Sequence, residues 1–242
     1  QTAYETIKDA DPSASVLIGG LAKPNDTAWL EKLLSLGGGK FFDVLNLHIY
    51  PAFGTFPSSI PKNRELLAKH GFSKPIWITE TSTTGMYFET PDRAREEHNK
   101  AVYLAQNYSR AFSEPDVRRV FWHTLKNPGK DVRLARDLDF GLMDGEYREL
   151  PAFVAHRIWN SKLLGARAEG REAAATQDLE VYRFAAKTGP VWIAWSRTGE
   201  SKFRPPSAAA SFRVTSLFGE PSTVEAKTLS VTREPVYVEP TP

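Results

Sequence analysis

The sequence predicts two parts: a mixed α/β part with a parallel sheet over residues 1–164, and a small all-β domain, expected to be a sandwich, over residues 165–242. In the first part, short apolar runs typical of buried strands alternate with stretches of helical periodicity, which indicates βα units. The first part has four such units, whereas a closed parallel barrel has eight. It is therefore either a different small parallel sheet or the second half of a barrel.

Glycines and prolines mark the helix ends in the first part. The glycines at 37–39 end the second predicted helix, while Thr90 followed by Pro91 is a strong helix N-terminus. In the second helix, Trp29 and three leucines are predicted to share one face. The predicted helices cover residues 2–9, 28–36, 61–70, 90–112 and 151–164, and the predicted strands cover residues 16–20, 44–50, 75–80 and 119–124.

After about residue 165 the character of the chain changes. Short runs rich in β-branched and aromatic residues are separated by turns that contain Gly, Pro and Ser, a pattern typical of a β-sandwich. The runs that most resemble strands cover residues 179–184, 191–195, 212–214, 228–231 and 236–238.

Composition argues against several classes of function. The formal net charge is only +2 and the basic residues are scattered, so no nucleic-acid partner is expected. No apolar run reaches the length of a transmembrane helix, so no membrane partner is expected either. The chain has no Cys, its five His residues lack metal-ligand spacing, and it has no phosphate-binding or dinucleotide-binding motif. Neither a metal nor a cofactor is therefore expected.

The chain begins with Gln1 and not with Met. This leaves room for a targeting segment upstream, and a secreted or periplasmic location is favoured over a cytoplasmic one.

The most informative segment is residues 75–81, an apolar run that ends on the carboxylate of Glu80. A carboxylate at the end of a buried strand is costly unless it is paired or used. In a parallel α/β barrel, the carboxyl ends of the strands are where the chemistry takes place. Glu80 is therefore the first candidate for a catalytic residue.

Polar side chains on the neighbouring strands are candidates for substrate binding. Asn46, His48 and Tyr50 alternate with apolar residues, so they share one strand face and converge near its carboxyl end. His48 and Tyr50 are suited to donate to a sugar hydroxyl or to Glu80, and the competing interpretation is a satisfied structural set. Trp122 presents a flat apolar surface suited to a sugar ring, and the competing interpretation is core packing.

The order of these motifs resembles that of a clan A glycoside hydrolase barrel, in particular of families 39 and 5. Residues 43–51 are similar to strand 6, residues 77–81 to strand 7 and residues 120–123 to strand 8, while residues 140–144 and 151–153 resemble the loop and helix that close the barrel. The all-β part resembles the sandwich attached to family 39 and some family 5 members. The resemblance implies the C-terminal half, strands 5–8, of a TIM (β/α)8 barrel followed by a small all-β sandwich domain.

The same resemblance implies a retaining glycosidase that hydrolyses a poly- or oligosaccharide by double displacement. Glu80 would be the nucleophile, oriented and held ionised by His48 or Tyr50, and Asn46, His48, Tyr50 and Trp122 would contact the carbohydrate. In that clan the acid/base is the Glu of an Asn–Glu pair after strand 4, and no Asn in this chain is followed by Glu. The acid/base is thus expected to be absent from this chain and to lie in an N-terminal half-barrel, in the same protein or in a separate chain.

Three hypotheses follow from the expected absence of the acid/base. The chain is the C-terminal half of a glycosidase that is active only with its N-terminal half. Alternatively, it is a non-catalytic carbohydrate-binding or assembly protein that keeps the cleft. In the third hypothesis it associates with a copy of itself, because two open sheet edges need covering. Two measurements distinguish the three hypotheses: whether turnover depends on Glu80, and the oligomeric state.

Overall fold

The computed structural model describes residues 1–52, 54–83, 92–128, 139–225 and 228–241, which form two compact units. Unit 1 consists of Gln1–Pro51, Phe56–Ser82 and Glu114–His123, and unit 2 of Ala52–Thr55, Thr83–Ser113 and Thr124–Pro242. Both units therefore draw on separate stretches of the chain. The predicted domain boundary at residue 164 stays a prediction.

Unit 1 is built on a parallel sheet. β1 (Leu45–His48), β2 (Ile76–Thr81) and β3 (Val117–Trp122) lie in the order β1-β2-β3, and each strand is parallel to its neighbour. Isolated parallel bridges, Leu17 to Val44 and Leu21 to Leu47, add a short extended segment beside β1. Four extended segments therefore lie side by side with their carboxyl ends at one edge. The predicted mixed α/β fold with a parallel sheet is confirmed.

The helices of unit 1 are α1 (Thr2–Ala10), α2 (Ala28–Ser35) and α3 (Ser59–Lys69), with a short 3₁₀ helix at Gly38–Phe41. In α2, Leu30 and Leu34 are buried, as residues four positions apart on one face should be. Trp29 lies one position away around the helix and is 57% exposed. Trp29, which helical spacing groups with these leucines, is therefore not part of the buried face.

Unit 2 contains the helices α4 (Arg93–Phe112) and α5 (Pro151–Leu163). The Asp92 side chain caps α4 by accepting hydrogen bonds from two backbone N–H groups of its first turn. The predicted helix start at Thr90 and Pro91 lies outside the described residues.

Unit 2 also contains antiparallel strands. They are β4 (Arg167–Arg171), β5 (Leu179–Ala186), β6 (Gly189–Ser196), β7 (Glu200–Phe203), β8 (Phe212–Thr215), β9 (Pro221–Val224), β10 (Leu229–Thr232) and β11 (Val236–Pro240). A six-stranded sheet has the order β4-β5-β6-β11-β8-β9, and β7 pairs with β10. A common core contains buried side chains of both sheets, including Trp192, Phe203 and Val231.

Trp159 of α5 joins the helices of unit 2 to its sheet. Its ring packs edge-on against Tyr108 of α4, with centroids 5.5 Å apart, and against Phe184 of β5, with centroids 5.7 Å apart. Trp159 is itself buried. Aromatic rings bury large apolar areas, so this cluster is a major source of stability for unit 2.

A buried ion pair makes a second connection between α4 and the sheet. Arg110 donates from Nη2 to Oε1 of Glu180 at 2.5 Å and from Nε to Oε2 at 3.0 Å, a bidentate contact. Tyr182 and Arg197 donate to the same carboxylate, each at 2.7 Å. Arg110 is 3% exposed and Glu180 is 1% exposed. Each charge is therefore stable in the interior only because the other neutralises it.

Two structural features can be ruled out over the described ranges. No helix there combines the length and the apolar character of a membrane span. Nor do three or more His, Asp and Glu side chains come together in a way that could hold a metal ion.

Candidate active site

An irregularity in β2 determines where the Glu80 side chain lies. β1 and β2 pair in step as far as Leu47 and Ile78, but the next pair is His48 with Glu80. Thr79 is thus an extra residue in β2, which makes a β-bulge. In a regular strand Glu80 would share the face of the buried Ile78. The extra residue turns Glu80 to the side of His48 instead.

The Glu80 carboxylate has two neighbours on β1 and just after it. Tyr50 donates its hydroxyl hydrogen to Oε2 of Glu80 at 2.8 Å, and Nδ1 of His48 lies 3.2 Å from the same oxygen. The Glu80 side chain is 35% exposed, so solvent or a ligand can reach it. The structure therefore brings Glu80, His48 and Tyr50 together at the carboxyl end of the sheet.

Asn46 contacts the bulge and not the carboxylate. Its Oδ1 accepts a hydrogen bond from Oγ1 of Thr79 at 2.6 Å, and Asn46 is only 8% exposed. Thr79 and Glu80 therefore both contact the polar face of β1, which stabilises the bulge. Sequence reasoning did not single out Thr79, because nothing in an apolar strand pattern indicates a bulge. The role of Asn46 in substrate binding stays a prediction.

His48 packs directly on Gly20. A Cβ added at Gly20 would overlap Nε2 of His48, closer than non-bonded atoms can approach. The backbone of His48 is held as well, because its N–H donates to the carbonyl of Leu21 at 3.1 Å. The absence of a side chain at Gly20 thus allows the ring orientation that brings Nδ1 to Glu80. A Gly at the end of a strand often marks such a close approach, so the glycine pair at 19–20 was a usable signal.

We expect Gly20→Ala to displace the His48 ring and to lower turnover as much as His48→Ala does, by about 10–100-fold for the loss of a hydrogen bond to a charged group. Gly19→Ala is the matched control, because its added methyl group meets nothing within 4 Å. Steady-state rates on an activated aryl glycoside, with thermal unfolding of each variant, provide the measurement. Equal effects of the two substitutions would contradict the positioning role of Gly20.

A second cluster lies beside Asn46 on the same sheet face. Trp77 pairs with Asn46 across β1 and β2, and with Arg119 across β2 and β3. The Arg119 guanidinium lies 4.8 Å from the Trp77 ring centroid, and the ring of Phe121 lies 6.2 Å from it. Phe121 is 44% exposed. Strand alternation alone would have shown that Arg119 and Phe121 share a face.

Trp122 lies at the end of β3 and pairs with Thr81. It is partly buried. Along β3, alternation places its Cβ on the side of Val120, opposite to Phe121. Its predicted role as a sugar platform stays a prediction.

The part of the chain that contains these residues matches a known protein family. The family model described as "Glycosyl hydrolase catalytic core" matches residues 4–144, which is more than half of the 242-residue chain. The chain belongs to this family. The match includes all the strands of the parallel sheet and every candidate residue named so far. No curated protein sequence is significantly similar to this glycosyl hydrolase catalytic core.

Solved structures of glycoside hydrolases share the fold of this family member. A family 39 glycoside hydrolase from Bacteroides cellulosilyticus aligns with 98% of this chain and 53% of its own, with a TM-score of 0.78 and 20% identity. A glucosidase from Croceicoccus marinus aligns with 98% and 62%, with a TM-score of 0.64 and 13% identity. A GH30 endoxylanase from Clostridium papyrosolvens aligns with 98% and 60%, with a TM-score of 0.56 and 13% identity. The chain thus spans about half to three fifths of the length of these structures.

Proposed function

We propose that this chain supplies the nucleophile of a retaining glycoside hydrolase, and that Glu80 is that nucleophile. The observation that carries the proposal is the Glu80 carboxylate at the carboxyl end of the sheet, with Tyr50 and His48 both directed at Oε2. Because these two contacts involve one oxygen, Oε1 is the atom assigned to attack the sugar. Membership in the glycosyl hydrolase catalytic core family supports the reaction class.

In this proposal the four parallel segments are strands 5–8 of a (β/α)8 barrel, and the antiparallel strands form the sandwich domain that follows it. Their order in the sheet, which is their order in the chain, supports this assignment. The assignment is also supported by Phe121, which is exposed on the face that a complete barrel would enclose. The acid/base would come from polypeptide outside these 242 residues, in the same protein or in a second chain.

The proposed reaction has two steps. In the first, Oε1 of Glu80 forms a bond to the anomeric carbon while the glycosidic C–O bond breaks, and the acid/base gives its proton to the leaving oxygen. In the second, the acid/base carboxylate takes a proton from water, the water oxygen bonds to the anomeric carbon, and the Glu80 carboxylate is released. The two carboxyl groups would be about 5–5.5 Å apart, and two inversions give net retention.

The reaction class can be tested by trapping the covalent intermediate. A fluorosugar with an activated leaving group needs no protonation of that group, so it should label Glu80 even without the acid/base. Mass spectrometry of the digested chain would identify the labelled residue. Labelling at another carboxylate would show that Glu80 is not the nucleophile. Binding of the sugar with no labelling would favour the non-catalytic carbohydrate-binding alternative.

The missing acid/base can be tested with aryl glycosides of different leaving groups. Without it, the isolated chain should turn over substrates with a poor leaving group far more slowly than activated ones. Addition of a segment that carries an Asn–Glu pair after a strand should raise the turnover of the substrates with a poor leaving group. Fast hydrolysis of a substrate with a poor leaving group by the isolated chain would contradict the proposal that the acid/base is absent.

The Tyr50→Phe substitution tests the hydrogen bond to the nucleophile. We expect kcat/KM to fall by about 10–100-fold, because the donor at 2.8 Å from Oε2 is lost while the ring is kept. Tyr147→Phe, which alters an exposed tyrosine in unit 2, is the control and should leave the rate unchanged. An unchanged rate for Tyr50→Phe would show that Tyr50 plays no part in catalysis.

A further inference from the structure

A cavity of about 400 Å³ opens beside the candidate active site, lined by residues of the loop after the first extended segment and by the start of α2. We propose that this cavity is a separate sugar-binding subsite, which holds a sugar unit of the substrate next to the one at Glu80, with Trp29 as its stacking platform. Its volume falls within the usual range for small-molecule sites. The inference rests on the function proposed above.

The cavity lies at the catalytic edge of the sheet. Leu21, one of its lining residues, pairs with Leu47 of β1, and its N–H donates to the carbonyl of Asn46 at 3.1 Å. Gly20, another lining residue, is in contact with Nε2 of His48, whose Nδ1 is 3.2 Å from Glu80. A single imidazole ring therefore separates the cavity wall from the carboxylate. Consecutive sugar units of one chain can occupy positions this close together.

The lining has the chemistry that a neutral polyhydroxylated ligand requires. Trp29 is 57% exposed and offers a flat apolar surface on which the carbon face of a pyranose can stack. Asp26 and Lys23 supply an acceptor and a set of donors for hydroxyl groups. One acidic and one basic side chain leave the lining without net charge, which favours a neutral sugar over a highly charged ligand.

Contacts from α3 hold the cavity loop in place. The buried Asn63 donates from Nδ2 to the carbonyl of Pro24 at 2.7 Å, and Lys62 donates from Nζ to the carbonyl of Asn25 at 2.7 Å. Within the loop, the N–H of Asp26 donates to the carbonyl of Lys23 at 2.9 Å. The loop is thus organised before any ligand binds, which reduces the entropic cost of binding.

The test compares sugars of increasing length. Xylo-, cello- and manno-oligosaccharides, from monosaccharide to hexasaccharide, are titrated by calorimetry into the wild-type chain and into Trp29→Ala, Trp29→Tyr and Leu36→Ala. For the series that binds, Trp29→Ala should weaken binding roughly tenfold for oligosaccharides and leave the monosaccharide unaffected. Trp29→Tyr should restore most of the affinity. Leu36 is 73% exposed at the far end of α2, so Leu36→Ala is the matched control and should bind like wild type.

The possible results distinguish failure of the subsite from failure of the proposed function. If oligosaccharides bind and Trp29→Ala changes nothing, the subsite is overturned while the proposed function stands. An equal loss for monosaccharide and oligosaccharide would show that Trp29 acts through the fold, which also overturns the subsite. If no series binds to the wild type and no fluorosugar labels Glu80, the proposed function fails, and the subsite fails with it.

Discussion

Replacing Glu80 with Gln is expected to lower turnover by at least about 10⁴-fold, the largest effect of any single change in this chain. The Gln side chain keeps the size of Glu and can still accept the hydrogen bond from Tyr50. Its amide is neutral and cannot form a stable glycosyl ester, so the first chemical step is lost. The measurement is the rate of release of an activated aryl group by wild type and variant at equal concentration.

A matched substitution and a rescue experiment support the interpretation. Glu65→Gln changes an exposed glutamate on α3 and should leave the rate unaltered. In Glu80→Ala, added azide should enter the vacated space and restore turnover, with a glycosyl azide of inverted configuration as the product. A Glu80→Gln variant that hydrolyses at the wild-type rate would rule out the nucleophile role. Unchanged sugar binding with no hydrolysis in either protein, even after addition of the segment that carries the acid/base, would favour the binding-protein alternative.

Replacing Glu180 with Gln is expected to cost unit 2 about 3–5 kcal/mol of unfolding free energy. The substitution leaves the Arg110 guanidinium buried without its anion, and it weakens the hydrogen bonds from Tyr182 and Arg197. Chemical denaturation followed by tryptophan fluorescence gives the change, since Trp195 lies 5.3 Å from the guanidinium of Arg110. A variant as stable as wild type would show that the pair contributes no net stability.

Two controls identify the source of the loss. Glu200→Gln removes an exposed ion pair with Lys202 on the same unit and should cause no measurable change. Combining Glu180→Leu with Arg110→Met removes both charges, and it should recover much of the stability lost in Glu180→Gln. Failure of the double variant to recover would indicate that packing around Glu180, and not the unpaired charge, causes the loss.

The same pair predicts how stability changes with pH. Burial by itself raises the pKa of Glu180, but the hydrogen bonds from Arg110, Tyr182 and Arg197 outweigh it, so the pKa lies below the ordinary value. A carboxyl whose pKa is lowered by folding stabilises the protein fully above its unfolded pKa, which is about 4.3 for Glu. That contribution is lost as the pH falls through the lower, folded pKa. The stability difference between wild type and Glu180→Gln should therefore shrink in acid.

Local sequence pattern predicted the central elements but not the sheet edges. The strands at the centre of the six-stranded sheet, such as β5 and β6, are apolar runs and were predicted. β4, β7 and β9 were not predicted, because all three are short and mostly polar: RAEGR contains Gly, PSTV contains Pro, and ESKF contains two charged residues. β4 and β9 are the two edges of that sheet, where charged residues and Pro are common because they hinder further pairing.

Helical spacing alone does not predict whether Trp29 is available to bind a ligand. Helical spacing groups it with the leucines of α2, and a tryptophan in such a group is usually in the core. Whether its indole is buried depends on which side of α2 meets the sheet, and only the packed structure decides that. Its exposure at the wall of a cavity is the observation from which the proposed subsite follows.

The residue types at the candidate site follow from local sequence alone. The apolar strand ending in Glu80 and the alternation of Asn46, His48 and Tyr50 are local features, and strand geometry turns them directly into positions on a sheet. The direction in which Glu80 points depends on strand pairing in the folded chain. The extra residue Thr79 in β2 turns the carboxylate from the buried face to the side of His48 and Tyr50, and Gly20 lets the His48 ring lie against it. Both effects depend on contacts between segments far apart in the chain, and a one-residue change in strand register leaves no trace in local periodicity.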